Sequence, residues 1–263
     1  MIYQAQSPKG NILAPQRAGN RHRSGGVAQQ SPRLTEGERC FPWQSNLLAM
    51  FMAGEVPSAL DIPTGLGKTA VIAIWLIARA SGAPLPRRLV YVVDRRAVVD
   101  QATQVAVDLA ANQKLLCTLG IDKLPISTLR GQFADNRRWL EDPALPAIII
   151  GTVDMIGSRL LFEGYGVSRK MRPYQAGFLG ADTLVILDEA HLVPPFEKLL
   201  RDIANGADTL GPSDPAFRTI VPPCKLCLSP PPAATQAAMP SDSLTPTLLP
   251  APSPANASTQ PNS

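Results

Sequence analysis

Residues 58–80 constrain the fold more than any other stretch. A short buried-type run, 58–62, leads straight into Pro63-Thr64-Gly65-Leu66-Gly67-Lys68-Thr69, and 68–80 continues as a nearly all-apolar helical segment. Strand, glycine-rich turn and helix in that order make a phosphate-binding unit. Gly65 and Gly67 stand where a side chain would block close backbone approach, and the helix start turns free amides outward. Phosphate is the expected ligand of Pro63, Thr64, Gly65, Leu66, Gly67, Lys68 and Thr69. Lys68 is placed to reach the β and γ phosphates of ATP, and the Thr69 hydroxyl to ligate Mg2+. The strict form of the motif asks for glycine at position 62, where this chain has Ile62.

The rest of the central chain alternates short β-branched runs with longer helical ones. Trp43, Leu47, Leu48 and Phe51 recur at helical spacing in 41–53. Residues 89–93 read as a strand, followed by a helix over 97–111 with Val98, Ala102, Val105 and Leu109 on one face. Residues 126–129 read as a short strand, and 147–150 and 183–187 are continuous apolar runs, the pattern of strands covered on both faces. Repeated β-then-α order predicts an α/β fold with a mostly parallel sheet.

Asp188 and Glu189 follow the last of these runs, which sets two carboxylates at the C-terminal edge of the sheet, where open α/β sheets bind ligands. Asp188 is expected to hold the magnesium through water and Glu189 to orient and deprotonate the attacking water. Together with Lys68 they form the expected catalytic set, with His191 completing the box Asp188-Glu189-Ala190-His191.

Composition divides the chain. Residues 1–36 carry Lys9, Arg17, Arg21, Arg23 and Arg33 among Gln, Ser, Pro and Gly, and too little apolar surface to offset ordering entropy. Residues 229–263 are rich in Pro, Ala, Ser and Thr with Asp242 as the single charge, so both ends are expected to be disordered around one domain at 37–228. The net charge of +4 comes largely from the basic arm and says little about partners. Cys40, Cys117, Cys224 and Cys227 are too few and scattered for a disulfide framework, which favours a reducing cytoplasm. Cys224 and Cys227 have metal-ligand spacing but no second pair to complete a zinc site. No run approaches the roughly 18 apolar residues of a membrane span.

At the acidic box the chain resembles the superfamily 2 helicases and translocases, whose second motif is these four residues. Phe41-Pro42-Trp43-Gln44 lies upstream of the glycine-rich loop where those enzymes place an aromatic and a glutamine that read adenine, and Gln44 both donates and accepts. More closely, the chain is similar to the helicase module of the CRISPR-associated helicase and nuclease of type I interference systems. The resembling text is 62–69, then Tyr91-Val92-Val93-Asp94-Arg95-Arg96-Ala97-Val98-Val99-Asp100-Gln101, then Gly151-Thr152-Val153-Asp154, then Asp188-Glu189-Ala190-His191-Leu192. The resemblance implies a single RecA-like domain using ATP and Mg2+. Its partners would be single-stranded DNA, touched by Arg95, Arg96, Arg130 and Thr152, and a CRISPR effector complex. Arginines and hydroxyls hold phosphate without reading sequence, as a translocating motor requires.

The family closes two RecA-like domains around ATP, the second supplying arginines to the transferring phosphate. No such arginine lies in 229–263, and His22 and His191 are too few to build the family's metal nuclease. After Ser229, where the third helicase motif is expected to begin, the text turns into Pro230-Pro231-Pro232. The expectation is a truncated or frameshifted product with little turnover alone, or one served by a separately encoded second RecA-like domain. A different superfamily 2 member, such as an RNA helicase or restriction translocase, and a non-catalytic ATP- or DNA-binding fragment are the alternatives.

Overall fold

The computed structural model describes residues 40–62, 66–130, 138–206 and 214–229. The basic arm, most of the Pro-rich tail, and Pro63, Thr64 and Gly65 lie outside the described residues. Five strands, β1 (Arg88–Val93), β2 (Ile126–Leu129), β3 (Ala147–Thr152), β4 (Thr183–Leu187) and β5 (Lys225–Leu228), form one sheet in the order β2-β3-β1-β4-β5. Every pairing between them is parallel. Among the described residues the helices are α1 (Pro42–Met52), α2 (Ala70–Ala80), α3 (Arg96–Ala110), α4 (Gln113–Leu119), α5 (Arg138–Glu141), α6 (Val153–Leu160), α7 (Arg172–Gly180), α8 (Pro194–Asn205) and α9 (Pro215–Ile220).

Alternation along the strands builds two cores. Leu89, Tyr91 and Val93 face a cluster with Leu47 and Phe51 of α1, Ile72 and Trp75 of α2 and Val99 of α3. Val90 and Val92 face the other way, against Met155 and Ile156 of α6, Leu179 of α7 and Leu200 of α8. Both faces of β1, β3 and β4 are therefore buried, which is why these strands read as unbroken apolar runs. Gly151 lets β2 approach β3: a Cβ there would meet the Leu129 carbonyl oxygen at 3.0 Å.

The segment expected as a strand at 58–62 is reduced to an isolated parallel bridge between Ala59 and Leu228. The Leu60 amide donates to the Leu228 carbonyl (2.7 Å), and the Leu228 amide donates to the Ser58 carbonyl (3.0 Å). Pro57 and Pro63 bracket the segment and donate nothing to a ladder, and the Ile62 amide turns back to the Leu60 carbonyl at 3.1 Å. The segment still lies beside β5 and delivers the chain to the glycine-rich loop. Helix α2 starts at Ala70 rather than Lys68, because Gly67, Lys68 and Thr69 form a tight turn closed by the Ala70, Val71 and Ile72 amides on the carbonyls three residues back.

At the opposite, N-terminal edge, Arg88 is buried and ties β1 to β4. Its guanidinium donates to the carbonyls of Ala181 (2.8 Å), Phe178 (3.1 Å) and Pro143 (3.3 Å), and lies 4.7 Å from the Phe178 ring centroid. Asp182, at φ 49°, accepts from the Arg87 amide at 2.9 Å.

Candidate functional site

β4 ends at the C-terminal edge of the sheet, and main-chain bonds hold the residues just beyond it. The Asp188 amide donates to the Val92 carbonyl (2.9 Å), the Ser229 amide to the Leu187 carbonyl (2.9 Å) and the Ala190 amide to the Ser229 carbonyl (3.1 Å). The acidic pair is thus pinned between β1 and β5. Glu189 takes a left-handed conformation, φ 52° and ψ 46°, before a 3-10 turn at Ala190–Leu192. For a non-glycine residue this conformation costs about 1–3 kcal/mol and persists only where its surroundings impose it.

The Lys68 ammonium comes from the far side of the site. Gly67, at φ +70°, makes the turn that presents it. Its Nζ donates to Glu189 Oε1 at 3.0 Å and lies 3.6 Å from Asp188 Oδ1. The phosphate-loop lysine and both carboxylates of the acidic box therefore share one spot at the sheet edge, 121 residues apart in sequence for the Lys68–Glu189 pair. His191 Nδ1 lies 3.6 Å from Glu189 Oε2, beyond hydrogen-bond reach, and has no hydrogen-bond partner among the described residues.

Tyr91 enters the site from below, a residue whose role in it no motif announces. Its hydroxyl donates to Asp188 Oδ2 at 3.1 Å and neighbours the Thr69 side chain. Burial first, then the neighbouring Asp188 carboxylate, push the phenol well above its ordinary range, so it remains a donor. One buried hydroxyl therefore neighbours both residues expected to hold a metal. The other Asp188 oxygen, Oδ1, is buried and has no hydrogen-bond partner among the described residues. A carboxylate oxygen without a hydrogen bond, 3.6 Å from an ammonium, fits a hydrated divalent cation with a phosphate chain. A buried tyrosine in an otherwise aliphatic strand was the available signal, since its hydroxyl must find a partner.

The remaining expected residues fall on the same edge of neighbouring strands. Arg95 and Arg96 follow β1 and are exposed; Thr152 closes β3 and is buried; Arg130 follows β2. Val93 and Thr152 are paired in register, and Leu129 is paired with Gly151. The basic and hydroxyl groups thus lie along the edge that Asp188 shares. Arg130 is ion-paired with Asp100 of α3. Gln44 stands in the first turn of α1, where its carboxamide oxygen accepts from the Phe41 amide at 3.0 Å. That bond closes the helix start and leaves the side-chain nitrogen as the group to offer a ligand. Leu66 is described beside Gly67, whereas Pro63, Thr64 and Gly65 fall outside the described residues.

Cys224 and Cys227 do not share a site: Cys224 packs in the core under α8 and Cys227 in the core under α2. Burial pushes both thiols up to about 12. Among the described residues no cluster of three or more His, Cys, Asp or Glu gathers as a metal site, and no helix is long and apolar enough to cross a membrane.

The family model for DEAD/DEAH box helicases matches residues 41–220. No curated protein matches the chain significantly.

Proposed function

We propose, since the chain belongs to the DEAD/DEAH box helicase family, that its sheet edge binds ATP with Mg2+ and that the domain drives movement along single-stranded DNA. The convergence of Lys68, Asp188 and Glu189 carries this reading. Lys68 would bind the terminal phosphates, and a phosphate oxygen competing for its ammonium would release the Glu189 carboxylate to take a proton from water. Thr69 and Asp188 would hold the magnesium, which when bound neutralises phosphate charge. Gln44 would donate from its amide nitrogen to the adenine. His191 would act beside Glu189 from the same turn.

Arg95, Arg96, Arg130 and Thr152 would take phosphates of the strand along the edge of β1, β2 and β3. Arg130 would exchange Asp100 for phosphate. The finer reading is the helicase module of the CRISPR-associated helicase and nuclease, acting with an effector complex in antiviral defence. The resembling phrases around 62–69, 91–101, 151–154 and 188–192 support it. Genes for an interference complex beside this one are the expected neighbourhood; a restriction or RNA-processing neighbourhood would favour the other superfamily 2 reading.

A second RecA-like domain would close the site and supply the arginine that stabilises the transferring phosphate. The abrupt change of composition after Ser229 fits a change of reading frame, and helicase text resuming in another frame of the DNA is the expected result. Purified chain should bind ATP and turn it over weakly, with or without single-stranded DNA. Robust DNA-stimulated hydrolysis by the monomer would contradict the need for a second domain.

A further inference from the structure

We propose that the loop between α6 and α7 is a second contact for single-stranded nucleic acid, built of exposed rings flanked by exposed cations. Its sequence, residues 161–171, belongs to neither the glycine-rich loop, the acidic box nor the stretches assigned to strand phosphates. The proposal rests on the family's action on nucleic acid, but on none of the assignments at the ATP site.

The loop is compact and held from beneath. Arg172 donates to Glu163 Oε2 at 2.8 Å and closes its neck. Under it Arg159 is buried, donating to Gln175 Oε1 (3.0 Å) and the Met155 carbonyl (2.7 Å). Gly164 packs so closely on that stem that a Cβ would meet Arg159 Cγ at 2.9 Å and Val167 Cγ2 at 2.8 Å. Short loops with joined ends and their own packing are a common form of functional surface.

What this scaffold displays is unusual for a surface. Leu161, Phe162, Tyr165, Met171 and Tyr174 are all exposed, Phe162 by 54% and Tyr165 by 63%. Phe162 reaches this position at φ 63°, a conformation unfavourable to an aromatic residue. Several large apolar side chains exposed along one short stretch of chain suit a binding site. Arg169 and Lys170 are exposed in the same loop and form no ion pair with another described residue. With Arg159 and Arg172 against Glu163, the segment carries four bases and one acid.

Aromatic rings beside exposed cations suit a strand whose bases are unstacked and whose backbone is anionic. A duplex hides the faces these rings would cover, and an apolar protein surface leaves the two cations without counterparts. Helix α6 follows directly on Thr152 at the sheet edge, and its eight residues carry the chain about 12 Å away. The loop therefore offers a strand leaving that edge a second place to rest.

Fluorescence anisotropy with labelled oligothymidylate, titrated over a range of salt with the full chain, tests this. Replacing Phe162 and Tyr165 together by alanine should weaken binding about tenfold or more at every salt concentration and leave the salt slope unchanged. Replacing Arg169 and Lys170 together by alanine should flatten the slope of log affinity against log salt by about 1.4, the value for two single-strand phosphates. Tyr165→Trp should retain binding, with its fluorescence quenched by the oligonucleotide. Binding of a labelled ATP analogue should be the same in all these variants, so a failed ATP site and a failed loop give separate results. No binding by the parent chain, or affinity and slope unchanged in both double variants, would overturn the proposal; the second result would leave the rings as a protein-docking surface.

Discussion

Lys68 Nζ and Glu189 Oε1 are 3.0 Å apart, joining the start of α2 to the end of β4 through one part-buried ion pair. The two residues have opposite tasks in the proposed chemistry, and their variants should separate. Glu189→Gln keeps a polar group of the same size but no base. Its nucleotide affinity should stay within about threefold of the parent, while single-turnover hydrolysis falls about a hundredfold or more. Parallel loss of both would mean that Glu189 serves binding rather than proton transfer.

Tyr91→Phe removes the hydroxyl that donates to Asp188 and neighbours Thr69. The expected fold cost is modest, about 1–2 kcal/mol, as the Asp188 oxygen loses a buried donor. The informative readout is nucleotide affinity as a function of Mg2+: the variant should need more Mg2+ for half-maximal binding, with metal-free affinity unchanged. Equal Mg2+ dependence would reduce Tyr91 to a packing role.

The strands β1, β3 and β4 were legible because burial on both faces forces unbroken apolar runs such as Leu89-Val90-Tyr91-Val92-Val93. The glycine-rich loop and the acidic box were legible because their chemistry demands particular residues close together in sequence. Residues 58–62 misled, since an edge segment between two prolines makes a single bridge where its apolar character suggests a strand. The Tyr91–Asp188 bond, the Arg130–Asp100 pair and the use of Gln44 within α1 depend on which elements meet in space. Nothing in local pattern carries that.

Alkaline stability should reflect the buried thiols and the buried phenol. Cys224 and Cys227 rise from about 9 to about 12 on folding, and Tyr91 also rises, burial being the first cause for each. Raised folded values mean that the unfolded chain releases these protons first. Stability should therefore be level with respect to these groups below about pH 9 and decline as pH rises toward 12. Urea midpoints across that range should show the decline, and Cys227→Val should make it shallower. An identical decline in the variant would exclude this thiol as a contributor.

Arg88→Met tests the N-terminal edge independently of the site. The substitution leaves the carbonyls of Ala181, Phe178 and Pro143 without their guanidinium donor and Asp182 without a buried positive neighbour. A loss of about 3 kcal/mol is expected by chemical denaturation. Nucleotide affinity of the folded protein should be unchanged, because the clamp sits at the opposite end of β1 from Asp188.

Nucleotide affinity of the parent and of Lys68→Ala, measured side by side with Mg2+ present, bears most directly on the proposed ATP site. Removing a charged donor to phosphate should weaken ATP binding by about tenfold to a hundredfold, roughly 1.5–3 kcal/mol. Equal affinity in the two proteins would contradict that site by removing Lys68, and with it the glycine-rich turn, from nucleotide binding.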